Sequence, residues 1–182
     1  MRRLLAYGFS GCVLLGLVTS GRCEASESDS QDVAFASGGL GPGSRTMTAV
    51  VSLNLSRGSL FYVLRASTVS EFNIFGPSPD ESDTDYAVLV GKCSRNPHLF
   101  SSAAVGIGFV RSIRRGTLIE QGDWFAGSRY EKVERVTIGL PIDLKTSVNL
   151  WGIGVGLNLF ANWNPRGSFA GLAFTLQLGK LP

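Results

Sequence analysis

The most constraining feature of this 182-residue chain is an inverted alternation of side chains near its C-terminus. Two runs alternate large apolar residues with small or polar ones, and the loop ANWNPRG separates them. Because successive side chains of a strand point to opposite faces, the runs predict a β-hairpin over 147–181 with one bulky apolar face. The residues of that face are Trp151, Ile153, Val155, Leu157 and Leu159, then Ala170, Leu172, Phe174, Leu176 and Leu178.

The opposite face of this hairpin carries small and polar residues such as Gly154, Asn158, Thr175 and Gln177. A soluble barrel that binds an apolar ligand places bulky residues inside, whereas these strands would fill the inside with polar ones. The apolar face therefore has to meet another apolar medium, and lipid is the simplest candidate. A soluble periplasmic barrel is the alternative, and it requires the opposite assignment of faces.

Six further segments upstream of the hairpin have the composition of strands, which gives eight strands in all. They cover 32–39, 46–55, 60–68, 86–92, 99–111 and 135–144. We expect the longest irregular region to be 112–132. Short turns are expected at Arg57, Arg95 and Lys145, and they alternate with connections at Gly41, Pro77, Phe125 and Pro165, two of which are long.

An even strand number, with short turns at one end and longer loops at the other, is typical of outer-membrane barrels. Backbone groups must all be paired in lipid, so the sheet has to close. The sequence therefore predicts an all-β fold, a single eight-stranded antiparallel transmembrane β-barrel in up-and-down order. With eight strands the lumen is narrow and largely filled by side chains.

The N-terminal stretch has the pattern of a secretory signal peptide. Arg2 and Arg3 precede a short apolar run over 4–18, and small residues follow. We expect cleavage near Ala25, which divides the chain into a signal peptide, 1–25, and an outer-membrane barrel domain, 26–182. The exported protein would then keep Cys93 as its only cysteine, so no internal disulfide is available.

The second half of the chain resembles a group of small outer-membrane β-barrel proteins. The resemblance rests on RVTIGLPIDL at 135–144, the glycine-alternating strand after it, and the closing run SFAGLAFTLQLGKL at 168–181. It implies a barrel in the outer membrane of a Gram-negative bacterium, and it brings no activity or catalytic residue. As partners of such a barrel we expect outer-membrane lipid, lipopolysaccharide and the barrel assembly machinery.

Several charged residues occupy strand positions whose side chains should point into the barrel, which predicts a polar network in the lumen. Arg65 and Asp85 flank the second loop, at Pro77, and both are expected to point inward, so we expect them to form a buried pair in the upper barrel. We expect Arg135 to join this pair from the far side, and Asp143 to belong to the same lumen. Buried charges need partners, which favours a structural role for these residues over a gated pore.

The long loops carry two candidate contact sites. Asp80, Glu81 and Asp83 lie in an acidic loop that could hold calcium through carboxylate oxygens, although the spacing is not that of an EF-hand. A hydrated loop is the simpler interpretation. Trp124 and Arg129 belong to a loop rich in arginine and aromatic residues, which fits an unknown surface partner or, preferably, an interfacial aromatic belt.

Two motifs that suggest chemistry lack the context it needs. GIGVG at 152–156 would need a following helix to hold a phosphate, whereas a strand continues through it. His98 with Ser101 and Ser102 would need an acidic residue to orient the imidazole for acyl hydrolysis, and none is near in sequence. The net charge of +3 is too small to favour nucleic acid as a partner.

The sequence therefore predicts an outer-membrane protein with a structural or surface-interaction role. We expect no catalytic residue, cofactor or resident metal. The alternatives are a narrow channel for small solutes or ions and, less favoured, a lipid-modifying barrel enzyme. A single-channel current would distinguish the channel from a plugged barrel.

Overall fold

A computed structural model of the chain describes residues 32–58, 60–72, 76–96, 99–122 and 127–180. The chain divides into two units, 1–30 and 31–182, and all described residues belong to the second. The predicted signal peptide and its cleavage site lie outside the described residues. Within the described ranges, no helix is long and apolar enough to cross a membrane.

The described residues form eight antiparallel strands. Each strand pairs with the next one in sequence and β1 pairs with β8, so the sheet closes into a barrel in meander order. The predicted fold is therefore confirmed. The strands are β1 (Val33–Pro42), β2 (Met47–Arg57), β3 (Leu60–Ser70), β4 (Ser82–Arg95), β5 (Leu99–Glu120), β6 (Arg129–Leu150), β7 (Ile153–Trp163) and β8 (Phe169–Lys180).

The two faces of the barrel wall follow the predicted inverted alternation. On β8, Phe174 and Leu176 are exposed, whereas Thr175 and Gln177 point inward and are buried. Strands β2, β3, β5 and β7 repeat this pattern. A band of large apolar side chains therefore covers the outside of the barrel, and most polar side chains of the wall face the lumen.

Two strands are much longer than predicted. β5 and β6 contain 22 residues each, and their outer parts, 113–120 and 129–135, form a hairpin that continues past the neighbouring strands. We call this segment the outer hairpin. The prediction of an irregular region over 112–132 is therefore wrong for most of its length. Both faces of the outer hairpin meet solvent, so its sequence lacks the alternation that marks the wall strands.

The turn between β6 and β7 lies at Trp151 and Gly152, so the turn predicted at Lys145 and Thr146 is wrong. Trp151 and Gly152 have φ values of 54° and 86°. Positive φ at both central residues is what a type I′ hairpin turn requires, and glycine adopts it without steric cost. Lys145 therefore stays within β6 and is buried in the lumen.

The connections between strands alternate between two ends of the barrel. The short connections from β2 to β3, from β4 to β5 and from β6 to β7 share one end with the start of β1 and the finish of β8. We call this the short-turn end. The other, the loop end, carries the connections 43–46, 71–81, 121–128 and 164–168. The predicted alternation of ends is confirmed, apart from the position of the third short turn.

Three layers of side chains fill the interior. Near the short-turn end, Phe35, Phe61 and Phe100 pack together, with ring centroids 5.4 to 6.4 Å apart. Towards the loop end a second apolar cluster includes Phe160 and Phe169. Polar and charged side chains occupy the layer between them. The lumen is therefore largely filled, as predicted.

Candidate functional site

Four charged residues meet inside the barrel, and we call Arg65, Asp85, Asp143 and Lys145 the luminal cluster. The Arg65 guanidinium lies 2.6 Å from Asp85 through Nη2 and 3.1 Å from Asp143 through Nη1, and all three side chains are fully buried. Lys145 Nζ lies 3.7 Å from Asp143 Oδ1. Two cations thus face two carboxylates, and the cluster carries no net charge.

One asparagine and two glycines accommodate the carboxylate of Asp85. Asn162 Nδ2 donates a hydrogen bond to Asp85 Oδ1 at 3.1 Å. A Cβ atom at Gly108 would lie 2.5 Å from Asp85 Oδ1, and one at Gly139 would lie 2.0 Å from Asn162 Oδ1. These two glycines therefore provide the space that the buried polar side chains occupy.

Arg65 is held from several directions at once. Its Nη1 also donates to the carbonyl of Ile142 at 3.0 Å, and its guanidinium carbon lies 5.1 Å from the centre of the Phe160 ring. Asn158 donates to Asp143 Oδ2 at 3.3 Å and so fixes the second carboxylate. A planar guanidinium that bridges two carboxylates and an aromatic face has little freedom to move.

Lys145 extends the polar layer across the lumen to β2 and β1. Its ammonium donates to Ser52 Oγ and Asn54 Oδ1, both at 2.6 Å. Ser52 and Ser37 share a further hydrogen bond of 2.7 Å. Sequence reasoning missed Lys145, although Val148 and Leu150 continue the outward phase of β6 and could have shown that the strand runs past it.

The predicted lumen residues are only partly brought together. The structure places Arg65, Asp85 and Asp143 in direct contact, whereas Arg135 is exposed and lies in the outer hairpin. The prediction that Arg135 joins the pair is wrong. Arg135 lies on the same face of β6 as Asp143. In the outer hairpin, however, this face meets solvent, because the neighbouring strand β7 ends before it reaches Arg135.

A second charged group lies at the loop end, and its centre is Asp83. Arg45 Nε lies 3.0 Å from Asp83 Oδ2, and Arg114 Nη2 lies 2.7 Å from Asp83 Oδ1. Ser112 Oγ donates to the same Oδ1 at 2.6 Å. Asp83 thus ties the first loop to the base of the outer hairpin.

The same group anchors the second loop. Arg45 Nη1 lies 2.7 Å from Glu81 Oε2, and the Arg115 backbone N–H donates to Glu81 Oε1 at 3.2 Å. The Arg115 guanidinium pairs with Glu71 and donates to the carbonyl of Pro79. We call the whole set the rim cluster: Arg45, Glu71, Glu81, Asp83, Arg114 and Arg115.

The rim cluster gives the acidic loop a different role from calcium binding. Glu81 and Asp83 are neutralised by arginines that come from other segments, which no inspection of the loop alone reveals. Among the described residues, no group of three or more potential ligands converges on a metal position. Asp80 is exposed.

The remaining sequence candidates do not assemble into a site. Arg129 is exposed at the start of β6, and Trp124 lies outside the described residues. His98 also lies outside them. Ser102 is buried towards the lumen while Ser101 is outside it, 3.5 Å from the Thr146 hydroxyl, so the two serines do not share a face.

The charged surroundings shift the acidity of Glu81. Partial burial acts to raise the pKa of this carboxyl, but the Arg115 backbone N–H and the Arg45 guanidinium outweigh it. The pKa of Glu81 therefore lies below its ordinary value of 4.5. The carboxylate form of Glu81 is the one that the rim cluster stabilises.

A closed eight-stranded barrel with an apolar outer wall and a charge-neutral polar lumen defines the structural class of this protein. Neisserial surface protein A is similar in fold, with a TM-score of 0.56 at 10% identity over 82% of this chain and 96% of that chain. Ail, the attachment invasion locus protein of Yersinia pestis, solved in complex with the heparin analogue sucrose octasulfate, aligns with a TM-score of 0.45 at 11% identity over 80% and 93%. No protein-family model and no curated protein matches the sequence.

Removal of one carboxylate from the luminal cluster should destabilise the barrel. Asp85→Ala leaves Arg65 with a single carboxylate and Asn162 without its acceptor, so we expect the free energy of unfolding to fall by about 3–5 kcal/mol. Asp80→Ala removes an exposed carboxylate and is the control. Urea unfolding of the refolded variants in detergent measures the difference. Equal midpoints for both variants and the unmodified protein would contradict a structural role for the pair.

Acidification should loosen the loop end. Because the pKa of Glu81 is lower in the folded than in the unfolded chain, its stabilising contribution is complete above 4.5 and is lost as the pH falls through the folded value. Hydrogen exchange over 76–82, corrected for the intrinsic rate, should therefore accelerate at pH 3. Glu81→Gln should show this acceleration already at pH 7, whereas Asp80→Asn should not. Protection that is independent of pH and of Glu81 would refute this expectation.

Proposed function

We propose that this chain is a bacterial outer-membrane β-barrel protein with a structural or surface-interaction role. The observation that carries the proposal is the apolar outer wall. Val51, Ile107 and Phe174, on three different strands, are exposed by 61%, 62% and 67%. Soluble monomers rarely expose contiguous apolar surface on this scale. Hydrocarbon around the wall removes the cost of that exposure, and the closed sheet leaves no wall strand unpaired within it.

Aromatic residues at both ends of the wall support the same proposal. Tyr86 and Trp163 are exposed towards the loop end, and Tyr62 and Trp151 towards the short-turn end. Tyrosine and tryptophan are enriched at both membrane–water interfaces because their rings are apolar with a polar group.

The loop end is the surface that we propose faces outward. Outer-membrane barrels carry their longer loops outside and their short turns in the periplasm. The rim cluster holds the first two loops against the base of the outer hairpin, so the hairpin stands on a fixed support. Its exposed residues, Leu118, Ile119 and Arg129 among them, are then available to a surface partner.

We also propose that lipopolysaccharide contacts the outside of the barrel near the loop end. Arg111 and Lys132 each pair with Glu134 at 2.6 Å, and all three side chains are at least 39% exposed. They point outward just past the apolar band, next to Phe109 and Val136. Cations in this position attract the phosphate groups of anionic lipid. Insertion of the closed sheet would involve the barrel assembly machinery.

A narrow channel is the second candidate, and the polar middle layer of the lumen favours it. Ser67 Oγ, Asn158 Oδ1 and Thr175 Oγ1 are buried and make no hydrogen bond to other described residues, so this layer is hydrophilic enough to take water. The aromatic cluster of Phe35, Phe61 and Phe100 obstructs the short-turn end. We therefore propose a plugged barrel without catalytic role, and a single-channel current would favour the channel.

A matched pair of substitutions tests the membrane location. Ile107 and Ile119 lie on the same strand and are exposed almost equally, by 62% and 63%, but only Ile107 lies on the barrel wall. In lipid vesicles, Ile107→Arg should lower the free energy of unfolding by about 2–4 kcal/mol, because it places a charge in hydrocarbon. Ile119→Arg should leave it nearly unchanged. Small and equal effects would place both residues in water and reject the membrane location.

Cysteine labelling in intact cells tests the orientation. In a Cys93→Ser background, Glu120→Cys marks the outer hairpin and Trp151→Cys marks a short turn. We expect a membrane-impermeant maleimide to label the hairpin position in intact cells, and the turn position only after the outer membrane is permeabilised. The Cys93→Ser protein without either new cysteine is the control. The opposite order of labelling would put the hairpin in the periplasm and exclude a role at the cell surface.

A further inference from the structure

The outer wall carries a groove across β2, β3 and β4. Its volume is about 250 Å³, and it is lined by residues 53–55 of β2, residues 62–64 of β3 and Val88 of β4. Leu53, Leu55, Tyr62, Leu64 and Val88 point outward into it and are all exposed. An apolar groove on an apolar wall suits an acyl chain, but by itself it does not select one lipid over another.

Two cations stand at the foot of this groove. Arg57 on β2 pairs with Leu60 on β3, and Leu60 pairs with Lys92 on β4, so the three residues form a row at the short-turn end. All three are exposed and share the outward parity of the groove residues. Two strand spacings separate Arg57 from Lys92, which places their backbones about 10 Å apart. The cations therefore flank the lower end of the groove.

Arg57 and Lys92 form no ion pair with the described part of the barrel. Among the described residues, neither Arg57 nor Lys92 has a salt bridge or a side-chain hydrogen bond. The register of β1 and β2 brings Asp32 level with Arg57, yet Asp32 is exposed and makes no ion pair with it. Arg111 and Lys132 at the loop end differ from this pair, because both form salt bridges with Glu134.

We propose that the groove and its two cations form a binding site for one anionic glycerophospholipid. An acyl chain lies along the groove, and the phosphodiester lies between Arg57 and Lys92. Tyr62 stands two residues above Leu60 and supplies an aromatic hydroxyl close to the headgroup level. The inference rests on the proposed function, since the groove meets lipid only in a barrel that is embedded in a membrane. The occupant comes from the leaflet at the short-turn end, where the cations lie.

The chain offers a matched control for each part of this site. Lys180 is a third exposed cation at the short-turn end, but it lies on β8, two strands beyond β2 on the side away from the groove. Lys180→Gln therefore removes one exposed positive charge at the same end of the barrel, away from the groove. Leu64→Trp fills the groove, and Leu157→Trp makes the same change on β7, elsewhere on the wall.

The test counts lipids that stay bound when the protein is released from nanodiscs into a native mass spectrometer. The nanodiscs contain equal amounts of phosphatidylglycerol and phosphatidylcholine. We expect one retained phosphatidylglycerol on the unmodified protein. Loss of both cations in Arg57→Gln/Lys92→Gln should weaken its retention by about thirtyfold, or about fivefold for each cation. Lys180→Gln and Leu157→Trp should retain the lipid, whereas Leu64→Trp should lose it.

Four results would overturn this site. Equal retention of phosphatidylcholine would remove the role of the cations, and an equal loss in Lys180→Gln would reduce it to general attraction. Retention by Leu64→Trp would show that the groove is not used. Displacement of phosphatidylglycerol by purified lipopolysaccharide would assign the groove to a different lipid. Flotation with vesicles is measured first, because failure of the unmodified protein to insert would reject the proposed function itself, and this site with it.

Discussion

A strand surrounded by hydrocarbon cannot leave its backbone N–H and C=O groups unpaired, because no water is there to replace the missing partner. In this chain the requirement is met by the pairing of β1 with β8, from Ala34 opposite Lys180 to Leu40 opposite Phe174. Closure with eight strands then fixes the width of the interior. Inward side chains are forced into contact with one another across a narrow space, and outward side chains remain exposed on the wall. The inverted alternation of the sequence is the direct consequence of that division.

The two charged groups of the barrel differ in environment and therefore in what they can do. In the luminal cluster, charges that are fully buried would be very costly alone, and two cations balanced by two carboxylates avoid that cost. The rim cluster is partly exposed, and ion pairs of that kind contribute little each and weaken with salt. The luminal cluster thus joins strands from opposite sides of the barrel. The rim cluster acts as a network that sets the position of the loops.

The architecture was predictable from the sequence because the wall strands alternate outward apolar residues with inward small or polar residues along their length. Leu53, Val155 and Leu176 all face out. The same alternation predicts that Arg65 and Asp85 both face inward, where they meet. The outer hairpin was not predictable in this way, since neither face of it is enclosed and no periodicity results. Arg135 was misplaced for the same reason, because parity gives a direction but not the height at which the wall stops. The rim cluster depends on contacts between Arg45, Glu81 and Arg115, which are far apart in sequence and share no motif.

The pairing of β1 with β8 also brings the first and last strands of the sheet together. Every other pair of adjacent strands is joined by a turn or loop between neighbours in sequence, so those pairs can form locally. The β1–β8 seam joins the two ends of the described chain, and its loop-closure entropy is the largest of all. Until β8 arrives, β1 remains an open edge that any other strand could occupy. Loss of a few residues from β8 would therefore not shorten the barrel at one end. It would remove pairs from the seam and leave N–H and C=O groups unpaired on the edge of β1.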